Sequence, residues 1–425
     1  MKPTLVLALD GVPLRVILDF RESGAFADWT PARPLIAPFP SLTNVSFTAM
    51  LHVFDVPPSR GYEFLHFDRS RNRRSGVKVL SYKRHQFAWR DLFHSVNRTA
   101  FAKLPIFTAP SIRSKKELAD AEDALFGATS ELILAHVGST NGMQVLRGDG
   151  ETRRFLPRLT EWLTHVQRRH QRERGSPLRI VMLSDHGNSD AKVRRIGGIH
   201  RLLRDAGLRV VRRLRTDNDV VAPTFGLVAY GALYLKPDRA RLAAEAVTKH
   251  PAVSLAVWAQ APREIRVASA EGEARILSRE TDGERCFAYE SHGADPLGLS
   301  SSRASLESAG RIDESGFATD RDWFDASLTG PYPDALHRLF ESLTGHHVVN
   351  RANVIFSLEP GSCWGTTWAN AIFWMLGSHL AGTHGGLDAP SSTGFFMTND
   401  PGLDPGGALR AEWALTRLVR DRGAG

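Results

Sequence analysis

Two adjacent side chains, Asp185 and His186, give the sequence its first chemical handle. They end the stretch Arg179–Asn188, RIVMLSDHGN, in which a mostly apolar run from Ile180 to Ser184 stops and Gly187-Asn188 turns the chain. A carboxylate beside an imidazole offers a hard oxygen and a nitrogen donor, a pair suited to a divalent cation. The plainer reading is an Asp-His pair that caps a helix and bonds a turn. Three more places share this setting. Asp10 ends the apolar run Leu5–Leu9 and precedes Gly11, and His384 sits in Gly382–Gly385, GTHG. Ser41, Thr43 and Asn44 stand ahead of an apolar-periodic helix expected over Val45–Val53. Each of these three is a capable N-cap. A hydroxyl at the positive end of a helix is also placed to hold a phosphate or to become a nucleophile. Ser41 and Thr43 compete for that role.

These residues need elements to hold them. Thr4–Leu9, Glu131–Val137 and Ile180–Ser184 read as buried strands, with Asp10 and Asp185 at carboxyl ends. An Arg-rich amphipathic helix, about Glu151–Arg174, lies between the second and third of them. Its apolar face carries Phe155, Leu159, Trp162, Leu163 and Val166. Alternating strands and helices predict a mainly parallel sheet, and ligands of such sheets collect at strand carboxyl ends. Gly138–Asn141 is expected as a strand-end loop, and helices are expected at Ala88–Val96, Lys115–Phe126 and Ala191–Ala206. From about 219 the texture changes to short strands, with turns at Glu271-Gly272 and Asp282-Gly283. This predicts an inserted cap at about 219–330, in which Ser300–Asp325 reads as a long loop. Asn353–Leu358 then reads as a return of the parallel pattern.

The 425 residues carry 42% apolar and 24% charged side chains, as a soluble globular protein does. The formal charge of +8 comes mostly from Arg on helix patterns, with no aromatic-basic motif beside it. No nucleic-acid partner is expected, although the charge suits an anionic substrate. Cys286 and Cys363 form no paired motif, which fits a reducing compartment. The apolar runs at Leu5–Leu9 and Trp368–Leu376 are too short for a signal core or a membrane span. A cytoplasmic protein without membrane attachment is expected.

Taken in order, LALDG at Leu7–Gly11, PSLTNVS at Pro40–Ser46, LSDHG at Leu183–Gly187 and GTHG at Gly382–Gly385 resemble the alkaline phosphatase superfamily. Within it they resemble the type I phosphodiesterase/nucleotide pyrophosphatase-like branch. The resemblance implies an α/β three-layer sandwich, with 1–218 and 331–425 as the catalytic domain and 219–330 as an α+β cap. It also implies a two-metal esterase centre. Asp10, Asp185 and His186 would bind one metal together with Thr43, the nucleophile. His384 would belong to the second metal, and Asn44 would bond a phosphate oxygen. The sequence departs from the family at the second metal. The D-x-x-x-H segment aligns with Gly138–Gly148, where Asn141 takes the place of the Asp and Val145 that of the His. Asn141 is a neutral donor and Val145 is none; Gln144, His136 and Asp149 are weaker substitutes.

The expected activity is metal-dependent hydrolysis of a small anionic phosphate mono- or diester through a covalent Thr43 intermediate. Zinc suits the mixed donors best, with manganese second. The alternative is a catalytically degenerate protein that keeps one metal site and serves as a binding or regulatory partner. Sulfate ester chemistry ranks last, because residues 41–45 lack the sulfatase C/S-x-P-x-R pattern. His292 reads as a surface turn residue. His346-His347 are rejected as a metal pair because neighbours on extended chain point apart. Trp364, Trp368, Phe373 and Trp374 read as core.

Overall fold

The computed structural model describes residues 3–76, 87–94, 104–224, 226–366 and 380–423. Two sheets organise it. The first has six strands in the order Leu409–Arg410, Arg33–Ile36, Thr393–Thr398, Arg179–Leu183, Thr4–Leu9 and Leu132–Val137. Thr4–Leu9 pairs in parallel with both Leu132–Val137 and Arg179–Leu183, so Ala8 lies level with His136 and Leu183. Thr393–Thr398 runs antiparallel to both of its neighbours. The sheet is therefore mainly parallel, with one reversed strand inside it.

Alternation along the first strand explains the layering. Leu5, Leu7 and Leu9 enter one core, where Val16, Ile17, Phe155, Leu159, Leu163 and Val166 cover them from helices Leu14–Glu22 and Asp149–Arg174. Val6 and Ala8 enter the core on the opposite face, against Phe47, Ala49 and Met50 of helix Thr43–Met50. A strand buried on both faces reads as a continuous apolar run, as this one does.

The second sheet has seven antiparallel strands, in the order Tyr230–Leu233, Val354–Leu358, Val253–Ala261, Glu264–Ala268, Gly272–Thr281, Glu284–Gly293 and Ala318–Thr319. The Asp282-Gly283 turn has positive φ at both residues (53° and 78°), the conformation a two-residue hairpin needs. Val354–Leu358 does not return to the parallel sheet as expected. It pairs antiparallel with Tyr230–Leu233 and Val253–Ala261. Ser300–Asp325 is not one loop either, since Ser300–Ser308 and Asp320–Ser327 are helices. The Thr319 hydroxyl caps the second of these by accepting from the Asp322 N–H.

Smaller differences cluster near the site. The expected loop at 138–141 is the start of helix Ser139–Arg147. The expected helix at 191–206 shortens to Ile199–Asp205 after a two-residue strand at Arg194–Arg195. The helix expected at 88–96 is one 3-10 turn over Ala88–Asp91, and residues 95 and 96 lie outside the described part. So do Trp368, Phe373 and Trp374, whereas Trp364 is core, with its ring centroid 5.2 Å from that of Phe356. Both cysteines are buried free thiols, and among the described residues no helix is long and apolar enough to cross a membrane.

Arg338 ties the two sheets' surroundings together. It is almost fully buried, and it donates from Nη1 to the Pro333 and Leu387 carbonyls at 2.9 Å each. From Nη2 it donates to Ser41 Oγ at 3.1 Å and Ser392 Oγ at 2.5 Å. Burial pushes its pKa down to about 10 against the opposing charges of Asp334 and Asp388. Arg338→Met is expected to cost about 3–5 kcal/mol, because several buried acceptors lose their donor at once. The loss should appear as a lower urea midpoint with an unchanged slope.

Candidate metal centre

The Arg338 contact decides between the two hydroxyls. Ser41 Oγ is buried, accepts from Arg338 and donates to the Gly386 carbonyl at 2.9 Å, so it is structural. Thr43 is the first residue of helix Thr43–Met50 and has different partners. Its Oγ1 lies 3.3 Å from Asp10 Oδ1 and 3.2 Å from His186 Nε2. None of the expected side-chain N-caps forms: Leu42 holds the N-cap position with extended backbone, and no side chain caps the helix. The first-turn N–H groups therefore keep their donor capacity.

The strand ends are stapled so that the acids meet. Ser184 Oγ accepts from the Val12 N–H at 2.9 Å and donates to the His186 carbonyl at 2.7 Å. Thr140 Oγ1 donates to the carbonyls of Asp10 and Val137, at 2.8 and 2.7 Å. Asp185 Oδ1 accepts from the Gly11 N–H at 3.0 Å. Gly11 has φ +66°, and a Cβ there would stand 3.2 Å from both Asn141 Oδ1 and His186 Cε1. Glycine is thus required twice over, by backbone conformation and by space.

Four donor atoms converge. His186 Nδ1 donates to the Gly187 carbonyl at 2.7 Å, which turns Nε2 toward the acids. That Nε2 lies 3.6 Å from Asp10 Oδ1 and 3.4 Å from Asp185 Oδ2. Asp185 Oδ2 is buried and has no hydrogen-bond partner. Donors about 2.0–2.2 Å from a tetrahedral zinc stand about 3.3–3.6 Å apart, so these four separations of 3.2–3.6 Å fit one such ion. Among the described residues, Asp10, Asp185 and His186 are the one group of three His, Cys, Asp or Glu close enough to share a cation.

The electrostatics fit the same ion. Burial alone raises the Asp10 carboxyl, but the His136 hydrogen bond and charge, with His186 and His384, bring it below its usual range. Burial pushes Asp185 up to about 6, with the Asp10 charge adding to the rise and His186 opposing it. Two carboxylates forced together in a dry site split in this way, and a cation between them favours ionisation of both.

His384 and Asn141 reach the same region. The His384 ring stacks on His186, with centroids 4.2 Å apart and planes 15° apart, and its Nδ1 donates to the Ser41 carbonyl at 3.1 Å. Burial and the His186 charge hold it down to about 3, so it is neutral. Asn141 Oδ1 is buried without a hydrogen-bond partner, whereas Val145 packs with Leu146 and Leu380. Asn44 is largely buried beside Thr43. Gln144 donates to Thr152, and Asp149 is taken up by a two-bond pair with Arg15, so neither substitutes as a ligand. His292 is exposed, and His347 pairs with Glu412 at 3.0 Å, away from the centre.

Near the centre, His136 takes a place other than the substitute ligand expected of it, and Arg90 was not singled out by sequence at all. His136 Nε2 lies 3.1 Å from Asp10 Oδ2. The Arg90 guanidinium lies over the Phe64, Trp89 and Phe87 rings, at 5.0, 5.3 and 5.8 Å from their centroids, and burial pushes it down to about 10 against the pull of the Asp10 charge. The parallel register that puts His136 level with Ala8 is what turns it to Asp10, and a sequence does not show that register.

No protein-family model and no curated protein sequence matches the chain. Solved structures do. Human ectonucleotide pyrophosphatase/phosphodiesterase 5 superposes with a TM-score of 0.53 at 11% identity, over 99% of this chain and 95% of that one. The inactive threonine-to-alanine form of the murine protein, in complex with AMP, gives 0.52 at 10% identity, over 99% and 94%. Phosphonoacetate hydrolase from Sinorhizobium meliloti 1021, in complex with phosphonoformate, gives 0.55 at 12% identity, over 99% and 95%. This chain thus has the alkaline phosphatase-like α/β fold over nearly its whole length.

Proposed function

We propose that this chain hydrolyses small phosphate mono- or diesters with a divalent cation, through a covalent phosphoryl- or nucleotidyl-Thr43 intermediate. One observation carries the reading. A hydroxyl at an uncapped helix N-terminus shares its donor neighbourhood with Asp10, Asp185 and His186. The similar structures add support, since their names describe a pyrophosphatase/phosphodiesterase and a phosphonate hydrolase. Asp10, Asp185 and His186 would hold the cation, with zinc favoured over manganese by the nitrogen donor. When bound there, it would lower the pKa of the Thr43 hydroxyl and offset charge on the phosphoryl oxygens.

The chain's own groups account for the rest. Thr43 Oγ1 forms the bond to phosphorus while the bond to the alcohol breaks. The first-turn N–H groups of its helix and the Asn44 amide receive the non-bridging oxygens. Water then cleaves the Thr43 ester, so the net reaction consumes water and returns the threonine. The His384 imidazole and the Asn141 amide are the groups that the family resemblance would put at a second metal. Both are neutral there, and we assign that position no strongly held ion.

The same depletion favours the second reading, a degenerate protein that binds one cation without turnover. Assays with aryl phosphate mono- and diesters separate the two. The hydrolase reading expects turnover that a chelator abolishes and zinc or manganese restores. Tight uptake of one ion without turnover above background favours the degenerate reading instead.

A further inference from the structure

The two oxygens of Asp10 have different neighbours. Oδ1 faces Thr43 Oγ1 at 3.3 Å and His186 Nε2 at 3.6 Å. Oδ2 faces His136 Nε2 at 3.1 Å. His136 lies on strand Leu132–Val137, and its imidazole is walled edge-on by Phe47, Trp89 and Phe93, with centroids at 5.2, 5.8 and 5.8 Å. Only 8% of it is exposed, so the ring has little room to turn. His136 is not one of the three residues whose donors lie close enough to share an ion. It meets the centre at Asp10 Oδ2.

We infer that His136 is a positioning residue of the metal centre, whose Nε2–H donates to Asp10 Oδ2 and reserves Oδ1 as the single oxygen aimed at the cation beside Thr43. This rests on the proposed cation at Asp10, Asp185 and His186. A carboxylate without such a partner can rotate about its Cβ–Cγ bond and offer both oxygens, or neither. Partners of this kind fix the ligand atom, and their loss typically costs about 10–100-fold in metal affinity. A histidine kept only to fill the aromatic wall would behave differently, because a phenyl ring fills the same wall.

The test compares His136→Phe with His136→Gln. The first keeps a flat ring against Phe47, Trp89 and Phe93 and removes the donor. The second places an amide nitrogen about where the imidazole Nε2 stands. Zinc affinity is measured by competition with a chromogenic chelator, and cobalt absorption spectra report the donor geometry. Metal-free melting identifies folded protein. The Phe variant is expected to bind zinc about 10–100-fold more weakly with an altered cobalt spectrum, and the Gln variant to restore both. If the Phe variant does not fold, His136→Asn, whose amide stops short of Asp10, takes its place. Wild-type affinity in the donor-free variant overturns the inference, and so does a folded Gln variant as weak as the Phe one. If the wild type itself takes up no zinc, the proposed cation site fails before any variant is compared, and the inference falls with it.

Discussion

Thr43→Ala is expected to lower the turnover of an aryl phosphate by at least about 10³-fold while zinc uptake persists. The argument is geometric. Thr43 Oγ1 is one of four converging donors, and its removal leaves Asp10, Asp185 and His186 in place. Alanine is the best helix former, so helix Thr43–Met50 and the Phe47, Ala49 and Met50 packing beneath it survive. The first-turn N–H groups also remain, so substrate binding should fall much less than kcat. The check is steady-state kinetics beside a zinc titration of the same sample. Equal turnover in wild type and variant would remove Thr43 from the chemistry.

The second large effect belongs to Asp185. Asp185→Asn keeps an oxygen to accept from the Gly11 N–H, so the turn at Gly11 persists. It replaces the unpartnered Oδ2 with an NH₂ group that cannot ligate. Zinc affinity is expected to fall by more than about 100-fold, beyond the loss of a supporting hydrogen bond, and turnover to fall with it. A pH signature accompanies this. In metal-free protein the Asp185 carboxyl is held up to about 6 by burial, against an ordinary 3.8. Its contribution to stability is therefore full below the ordinary value and is lost as pH rises through about 6. Bound zinc requires the carboxylate, so zinc affinity should weaken as pH falls below about 6. The rise in melting temperature on adding zinc should accordingly widen between about pH 5 and pH 7. In Asp185→Asn that pH dependence should flatten, which a calorimetric titration at several pH values would show.

What the sequence showed and hid follows from the range of the interactions involved. Asp10 and Asp185 were legible because a strand buried on both faces is a local apolar run, and its end is marked by the first charged residue. Thr43 and Ser41 could not be separated by sequence, since both precede the same helix. Arg338, nearly three hundred residues along, decides the matter by claiming Ser41. His136 sits inside an apolar strand, and its meaning depends on the register with Ala8. The helix Ser139–Arg147 was hidden by Gly138 and Gly142, which read as turn formers. Gly142 is there for space, because a Cβ would stand 1.8 Å from the Ile106 carbonyl oxygen. Val354–Leu358 was legible as a strand, but its antiparallel partners lie about a hundred residues or more upstream, so no local signature gives the pairing.

The reversed strand Thr393–Thr398 fixes when this protein becomes complete. It is inserted between Arg179–Leu183 and Arg33–Ile36, which have no direct pairing with each other in the six-strand order. A chain emerging from the ribosome can join Thr4–Leu9 to its two parallel neighbours, yet Arg33–Ile36 must wait for residues made more than 350 positions later. The helix carrying Thr43 follows that waiting strand. The six-strand sheet beneath the centre can therefore close only once the last part of the chain has been made. Long-range pairing of this kind slows folding.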